Sequence, residues 1–155
     1  MKLIIQRVRH ASVTVDQKIV GEIAKGYLVL VGVCDTDTEE IAEKMVRKML
    51  NLRIFEDNEG KTNLNLESVN GGLLIVSQFT LYADCRKGNR PSFTKAGNPE
   101  LARSLYEYVI KKCGETVPHV AQGMFGEHME VSLVNDGPFT IILDSDEIGL
   151  HNYIM

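Results

Sequence analysis

A chain of 155 residues with 44% hydrophobic and 25% charged side chains has the composition of one ordinary globular domain with a real core. Its 17 Lys plus Arg stand against 21 Asp plus Glu, and the resulting formal net charge of −4 excludes a strongly basic nucleic-acid binder, so any RNA contact has to be local. Charge interrupts Met1-Lys2-Leu3-Ile4-Ile5-Gln6-Arg7 too early for a signal peptide, and no stretch approaches the roughly 18 apolar residues of a membrane span. A cytoplasmic protein without a membrane partner is expected.

The alternation from Leu3 to Val15 predicts a strand, and Asp16-Gln17-Lys18 a turn into a second strand, Ile19 to Ile23. Tyr27 to Val33 carries too few polar residues for a half-exposed strand and reads as covered on both faces. Thr36 with Glu39 has the form of a capping box, and Ile41, Met45 and Met49 recur at helical spacing behind it. A short strand at Arg53-Ile54-Phe55, a turn at Asp57 to Gly60 and a strand from Leu73 to about Leu81 follow. Asn98-Pro99 caps a second helix, with Leu101, Leu105 and Val109 on one face and Gly114 at its end. The last third reads as strands His128 to Val134 and Phe139 to Leu143 around Asn135-Asp136-Gly137-Pro138. The expectation is a single α+β domain over residues 1–155, whose mainly antiparallel sheet curls toward a barrel beside two helices.

Three segments carry chemistry. Ser77-Gln78-Phe79-Thr80-Leu81-Tyr82 mixes hydroxyls and an amide into the end of an apolar strand, which is either a wetted strand face or a ligand edge. A nucleophilic Thr80 needs a base, yet no G-x-S-x-G elbow is present, and the sequence alone does not place His10, His119, His128 or His151 beside it. Arg86, Lys87, Arg90 and Lys95 share a loop with Gly88 and Phe93, which suits phosphate contacts and a stacked base; such a cluster is usually only a solvated face, but its position directly after the first segment favours the RNA reading. Asn135-Asp136-Gly137-Pro138 reads as a hairpin turn, although Gly-Pro also tolerates a cis bond that would turn the Gly137 carbonyl outward as a rigid probe. Cys34, Cys85 and Cys113 are odd in number and form no C-x-x-C pair, and there is no H-E-x-x-H, so free thiols and no metal or cofactor are expected.

Taken in order, the stretches Ser77 to Asp84, Lys87 to Phe93 and Asn135 to Thr140 resemble the SQFTLYAD, KGNRPSF and NDGP-x-T motifs of the D-aminoacyl-tRNA deacylases. The opening Met1 to Val8 and Gly123-Met124-Phe125-Gly126 match as well, so the resemblance spans nearly the whole chain; Cys85 and Phe139 stand where Thr or Val is more usual. The resemblance implies hydrolysis of the ester of D-aminoacyl-tRNA, and of glycyl-tRNA mischarged on tRNA(Ala), by a two-fold homodimer with active sites at the interface. Gly137-Pro138 of one subunit, in the cis form, would reach the pocket of Ser77 to Thr80 in the other and reject L-residues through rigid backbone carbonyls. The N–H groups near Phe79 and Thr80 become candidate oxyanion donors, and Gln78 and Ser77 candidates for holding the adenosine and the ester. Thr80 is then a nucleophile or a positioning hydroxyl beside the substrate's own 2′-OH. Arg86, Lys87, Arg90 and Phe125 are expected to bind the tRNA acceptor end, with no role for DNA. The competing readings are a covalent esterase acting through Thr80, a non-catalytic RNA-binding module, and a dimer with no ligand.

Overall fold

The computed structural model describes residues 1–150. In chain order the elements are β1 (Lys2–Val15), β2 (Lys18–Ile23), β3 (Gly26–Gly32), α1 (Glu39–Leu50), β4 (Phe55–Glu56), β5 (Thr62–Leu64), β6 (Gly72–Ser77), α2 (Pro99–Gly114), β7 (Val120–Gln122) and β8 (Glu130–Asp144).

β1 is the spine. Its first half pairs with β3 and its second half with β2, while β8 runs antiparallel along the opposite edge of both halves. From β3 the sheet continues through β6 and β7, and both of these pairings are parallel. The sheet is therefore mixed, antiparallel around β1 as expected but parallel from β3 through β6 to β7; the long connections that carry α1 and α2 bring the chain back to the same end of the sheet. At its far side β7 meets β2 so closely that a Cβ on Gly21 would lie 2.5 Å from the Gln122 carbonyl oxygen, so the sheet is nearly closed into a barrel.

Both faces are covered, as the apolar run of β3 predicts. Leu3, Ile5, Tyr27, Val29, Val31, Leu73 and Ile75 pack against the apolar stripes of α1 and α2, while Val8, Val13, Leu28, Leu74 and Val76 form a second cluster on the other face. Both helices stand where the periodicity puts them. The capping box at Thr36 does not form, because the cap is Thr38, whose Oγ1 accepts from the Ile41 N–H at 3.2 Å. The reason is long-range. Asp37 accepts from the Cys34 N–H and is ion-paired with the buried Met1 ammonium, which also bonds Ser145, and residues 34–37 are thereby held in a turn before the helix starts.

Two further expectations are corrected. The strand drawn from Leu73 to Leu81 ends at Ser77 and becomes a 3-10 turn, Phe79–Tyr82. The hairpin drawn at residues 135–138 does not form, since β8 passes through it without reversing and both flanks pair with the same strand, β1. Between the pairs Gln6 with Thr140 and His10 with Val134, β1 has three residues and β8 five, so Asn135 to Phe139 forms a bulge with a cis Gly137-Pro138 bond inside it.

Candidate functional site

Parallel strands leave a sheet at the same edge, and β3, β6 and β7 do so here. Ser77 aligns with Val31, the Gln78 N–H donates to the Val31 carbonyl at 2.8 Å, and the Gly123 N–H donates to the Ile75 carbonyl at 3.0 Å. Ser77 to Thr80 and Gly123 to Phe125 are thus neighbours at the carboxyl ends of the strands, a place where open sheets commonly bind ligands. The start of α2 arrives at the same edge through Gly97, whose N–H donates to the Val33 carbonyl at 2.8 Å, and through Asn98, whose N–H donates to Asp35.

Ser77 and Gln78 are half-buried and Phe79 and Thr80 exposed. Because Phe79 opens a single 3-10 turn, its N–H and that of Thr80 have no carbonyl upstream within the turn to bond, and both remain available to an acceptor. The Thr80 hydroxyl accepts from Gln78 Nε2 at 2.5 Å, which fixes its rotamer but offers no base, since an amide nitrogen cannot take its proton. Three of the histidines lie elsewhere: His10 pairs in β1, His119 bonds the Glu22 carbonyl and His128 lines a small pocket beside Thr14, while His151 lies outside the described residues. Chemically, this edge can hold a carbonyl oxygen by two N–H groups and place a hydroxyl beside it.

The loop after the turn is folded on itself. Asp84 and Ser92 exchange backbone hydrogen bonds, and Phe79 meets Phe93 edge to face at 5.1 Å. Arg86 forks onto Asp84, with Nε at 2.9 and 3.1 Å from its two carboxylate oxygens, and holds that carboxyl well below the ordinary range. Of the cations singled out for phosphate contact, Arg86 is thus already partnered, whereas Lys87 and Arg90 are exposed and have no recorded ion pair among the described residues.

The Gly137-Pro138 element is clamped from both sides. Asn135 donates to the Phe139 carbonyl at 3.0 Å and accepts from the Phe139 N–H at 2.7 Å, which closes the bulge. Beneath it, the buried Arg7 donates to the carbonyls of Asp136 and Ile54, and its guanidinium lies over the Phe139 ring at 4.5 Å. The unusual Phe139 is therefore the floor of this loop. Sequence reasoning gave Arg7 no role, although one signal was available: it continues the inward register of Leu3 and Ile5, and a cation on a buried register needs partners.

Phe125 reaches the strand edge half-buried, against Tyr106 on one side, with the Arg103 guanidinium over its ring at 4.8 Å. A cleft of about 470 Å³ lies elsewhere, between the carboxyl ends of the two helices; none of the motif residues lines it, and Lys112 there is paired with Glu43 and Glu115. No group of three or more His, Cys, Asp or Glu side chains among the described residues is placed to hold a metal, and no described helix is long and apolar enough to cross a membrane. The three cysteines are free thiols, with Cys113 buried and pushed up to about 12 by desolvation.

Comparison with known proteins shows the family. The family described as D-Tyr-tRNA(Tyr) deacylase matches residues 4–144. A D-aminoacyl-tRNA deacylase of Thermosipho melanesiensis is 52% identical over 149 residues, which is 96% of this chain and 99% of that protein, and one of Clostridium kluyveri is 54% identical over 148 residues, with the same shares covered. Among solved structures, one described as c-Myc DNA Unwinding Element Binding Protein superposes with a TM-score of 0.88 at 41% identity, covering 93% of this chain and 98% of that one. A probable eukaryotic D-amino acid tRNA deacylase shares the fold at a TM-score of 0.76 and 20% identity, covering 92% of this chain and 97% of that one. The chain belongs to the D-Tyr-tRNA(Tyr) deacylase family.

Proposed function

We propose that this chain hydrolyses the ester between a D-amino acid and the 3′ end of tRNA, in the cytoplasm and without a metal. The observation that carries the reading is the turn at Phe79 and Thr80, which presents two N–H groups without a partner among the described residues and a Gln78-held hydroxyl at the carboxyl edge of the parallel strands. The ester carbonyl oxygen sits on the two N–H groups, and a water oxygen attacks the carbonyl carbon. The tetrahedral intermediate expels the 3′ oxygen, which leaves with the proton that the water gives up. With no base beside Thr80 among the described residues, the neighbouring 2′-OH of the substrate relays that proton, and Thr80 and Ser77 position the ester.

The Gly137-Pro138 element acts in the partner subunit of a two-fold dimer. Ser77 stands level with Leu3 through Val31, whereas Gly137 and Pro138 lie between the partners of Gln6 and Val8 on the far side of β1. Roughly four residues along β1 and three strand spacings across put the two about 20 Å apart in one chain. An exposed Gly-Pro held that far from its own turn fits the turn of a second copy, and the exposed Phe79, Val134 and Ile142 supply apolar surface for the association. Once inserted, rigid backbone beside the substrate Cα excludes every L-side chain and leaves a D-side chain pointing to solvent. Glycine has nothing to exclude, so glycyl-tRNA, including glycine mischarged on tRNA(Ala), is cleaved as well.

The deciding experiment follows ester loss from D- and L-tyrosyl-tRNA, with duplex DNA at matched phosphate concentration as competitor. Selective loss of the D-ester, untouched by DNA, is expected. Binding of both tRNAs with hydrolysis of neither would leave an RNA-binding module, and inhibition by DNA would point to DNA binding of the kind that describes the 41% identical structure.

A further inference from the structure

Arg103 has no part in any motif above, yet it occupies a distinctive place. It is an exposed cation on α2 with no ion pair among the described residues, and its guanidinium lies over the Phe125 ring at 4.8 Å. The Phe125 ring in turn packs against Tyr106, whose hydroxyl donates to the Ile75 carbonyl at 2.8 Å. Tyr106 therefore fixes the level of the pile on β6. α2 starts at the strand ends, so Arg103, three residues before Tyr106, lies one helical turn nearer that edge, toward Ser77. Tyr106, Phe125 and Arg103 form a column that rises from the core to the mouth of the candidate site, and its outermost member is a guanidinium rather than an aromatic ring.

On the reading that this edge hydrolyses aminoacyl-tRNA, we infer that Arg103 is the platform on which the terminal nucleobase of the substrate stacks. A guanidinium laid over a ring keeps its N–H donors around its rim and leaves its outer face flat, a surface that nucleobases accept as readily as an aromatic one. Phe125, expected from the motif to bind substrate itself, then acts mainly from beneath by holding Arg103 flat. Stacking is favoured over a phosphate contact because a cation that served phosphate would have its N–H groups directed outward, whereas this one lies against carbon.

The test compares wild type, Arg103→Ala, Arg103→Lys and Phe125→Leu on D-tyrosyl-tRNA and on 3′-O-D-tyrosyl-adenosine, which has the base but no phosphate. Loss of one base stack corresponds to a rise in KM of about tenfold, with kcat nearly unchanged. That rise should appear for Arg103→Ala on both substrates, should persist in Arg103→Lys, which keeps charge without the plane, and should be partial in Phe125→Leu. Unchanged KM in Arg103→Ala, rescue by lysine, or a defect confined to the full tRNA would each overturn the stacking role. Thermal melting and sizing of each variant separate a folding defect from a binding one, and because position 103 is exposed, Arg103→Ala should match wild type in both. If wild type cleaved neither substrate, the proposed function would fail, whereas the Arg103 inference fails only against an active wild type.

Discussion

Arg7 donates from Nε to the carbonyl oxygen of Asp136 at 2.7 Å, across the bulge that separates the two halves of β8, and so ties the exposed Gly137-Pro138 loop to the buried face of β1. The same guanidinium holds Ile54 and underlies Phe139. Arg7→Met keeps much of the apolar volume but strands both carbonyls. We expect a loss of about 2–4 kcal/mol in denaturant unfolding and, in protein still folded, a lower ratio of D- to L-tyrosyl-tRNA hydrolysis. A variant that kept full stability would show that these contacts do not hold the loop.

Asn135 makes the second clamp, and its two bonds to Phe139 can be removed separately. Asn135→Ala loses both and should cost about 1–3 kcal/mol, while Asn135→Asp retains an acceptor for the Phe139 N–H but sets a carboxylate against the Phe139 carbonyl. Discrimination between D- and L-esters should fall further in the alanine variant than in the aspartate one. If the ratio stayed at the wild-type value in both, the loop's shape would not be what sorts chirality.

Thr80 decides between the two hydrolytic routes. Because its hydroxyl's one side-chain partner among the described residues is the Gln78 amide, Thr80→Ala should keep kcat within about a hundredfold of wild type, whereas tRNA ending in 2′-deoxyadenosine should react more than a hundredfold slower, the scale of a lost proton relay. A dead Thr80→Ala with an active Thr80→Ser, and a trapped acyl-enzyme, would establish the covalent esterase instead.

The cations of the 84–95 loop should not contribute equally. Arg86 is held by Asp84, whose folded pKa lies below its unfolded value, so the clamp is fully present above the ordinary Asp range and is lost only as pH falls through the lower folded value. Arg86 therefore stays engaged throughout the neutral range, and titration of the Asp84 carboxyl carbon by NMR should show no change near pH 4. Arg86→Gln should leave the salt dependence of tRNA binding nearly intact, while Lys87→Gln and Arg90→Gln should each flatten its slope by roughly 0.7. Equal slopes for all three variants would contradict the clamp.

What could be read from the sequence was local in origin. Both helices, the first three strands and the doubly covered β3 follow from periodicity, and the turn at Asp57 to Gly60 from side chains that bond their own backbone. The misreadings trace to distant partners. Local rules favour Thr36, which alone has a Glu three residues on, until Asp37 is engaged by Met1 at the start of β1. Asn, Asp, Gly and Pro have good turn mechanisms, but the fourteen residues of β1 offer pairing to both flanks of the motif, and that ladder outweighs a local reversal. Of the candidate site, Ser77, Gln78 and Thr80 are legible as polar residues at a strand end. Arg7 and Arg103 are not, because what marks them is a neighbour from another element.

The bulge in β8 also has a parity. Its two additional residues are an even number, and the side chains that pack against the core are odd-numbered on both flanks, Leu133 against the cluster of Val8 and Val13, and Phe139, Ile141 and Leu143 against the cluster under the helices. An odd insertion or deletion would reverse one flank wholesale and bring Val134 or Ile142 inward in exchange for the core side chains. Length variation at this loop is thereby quantised in steps of two, and the segment that projects Gly137-Pro138 is locked to the framework by counting as well as by contact.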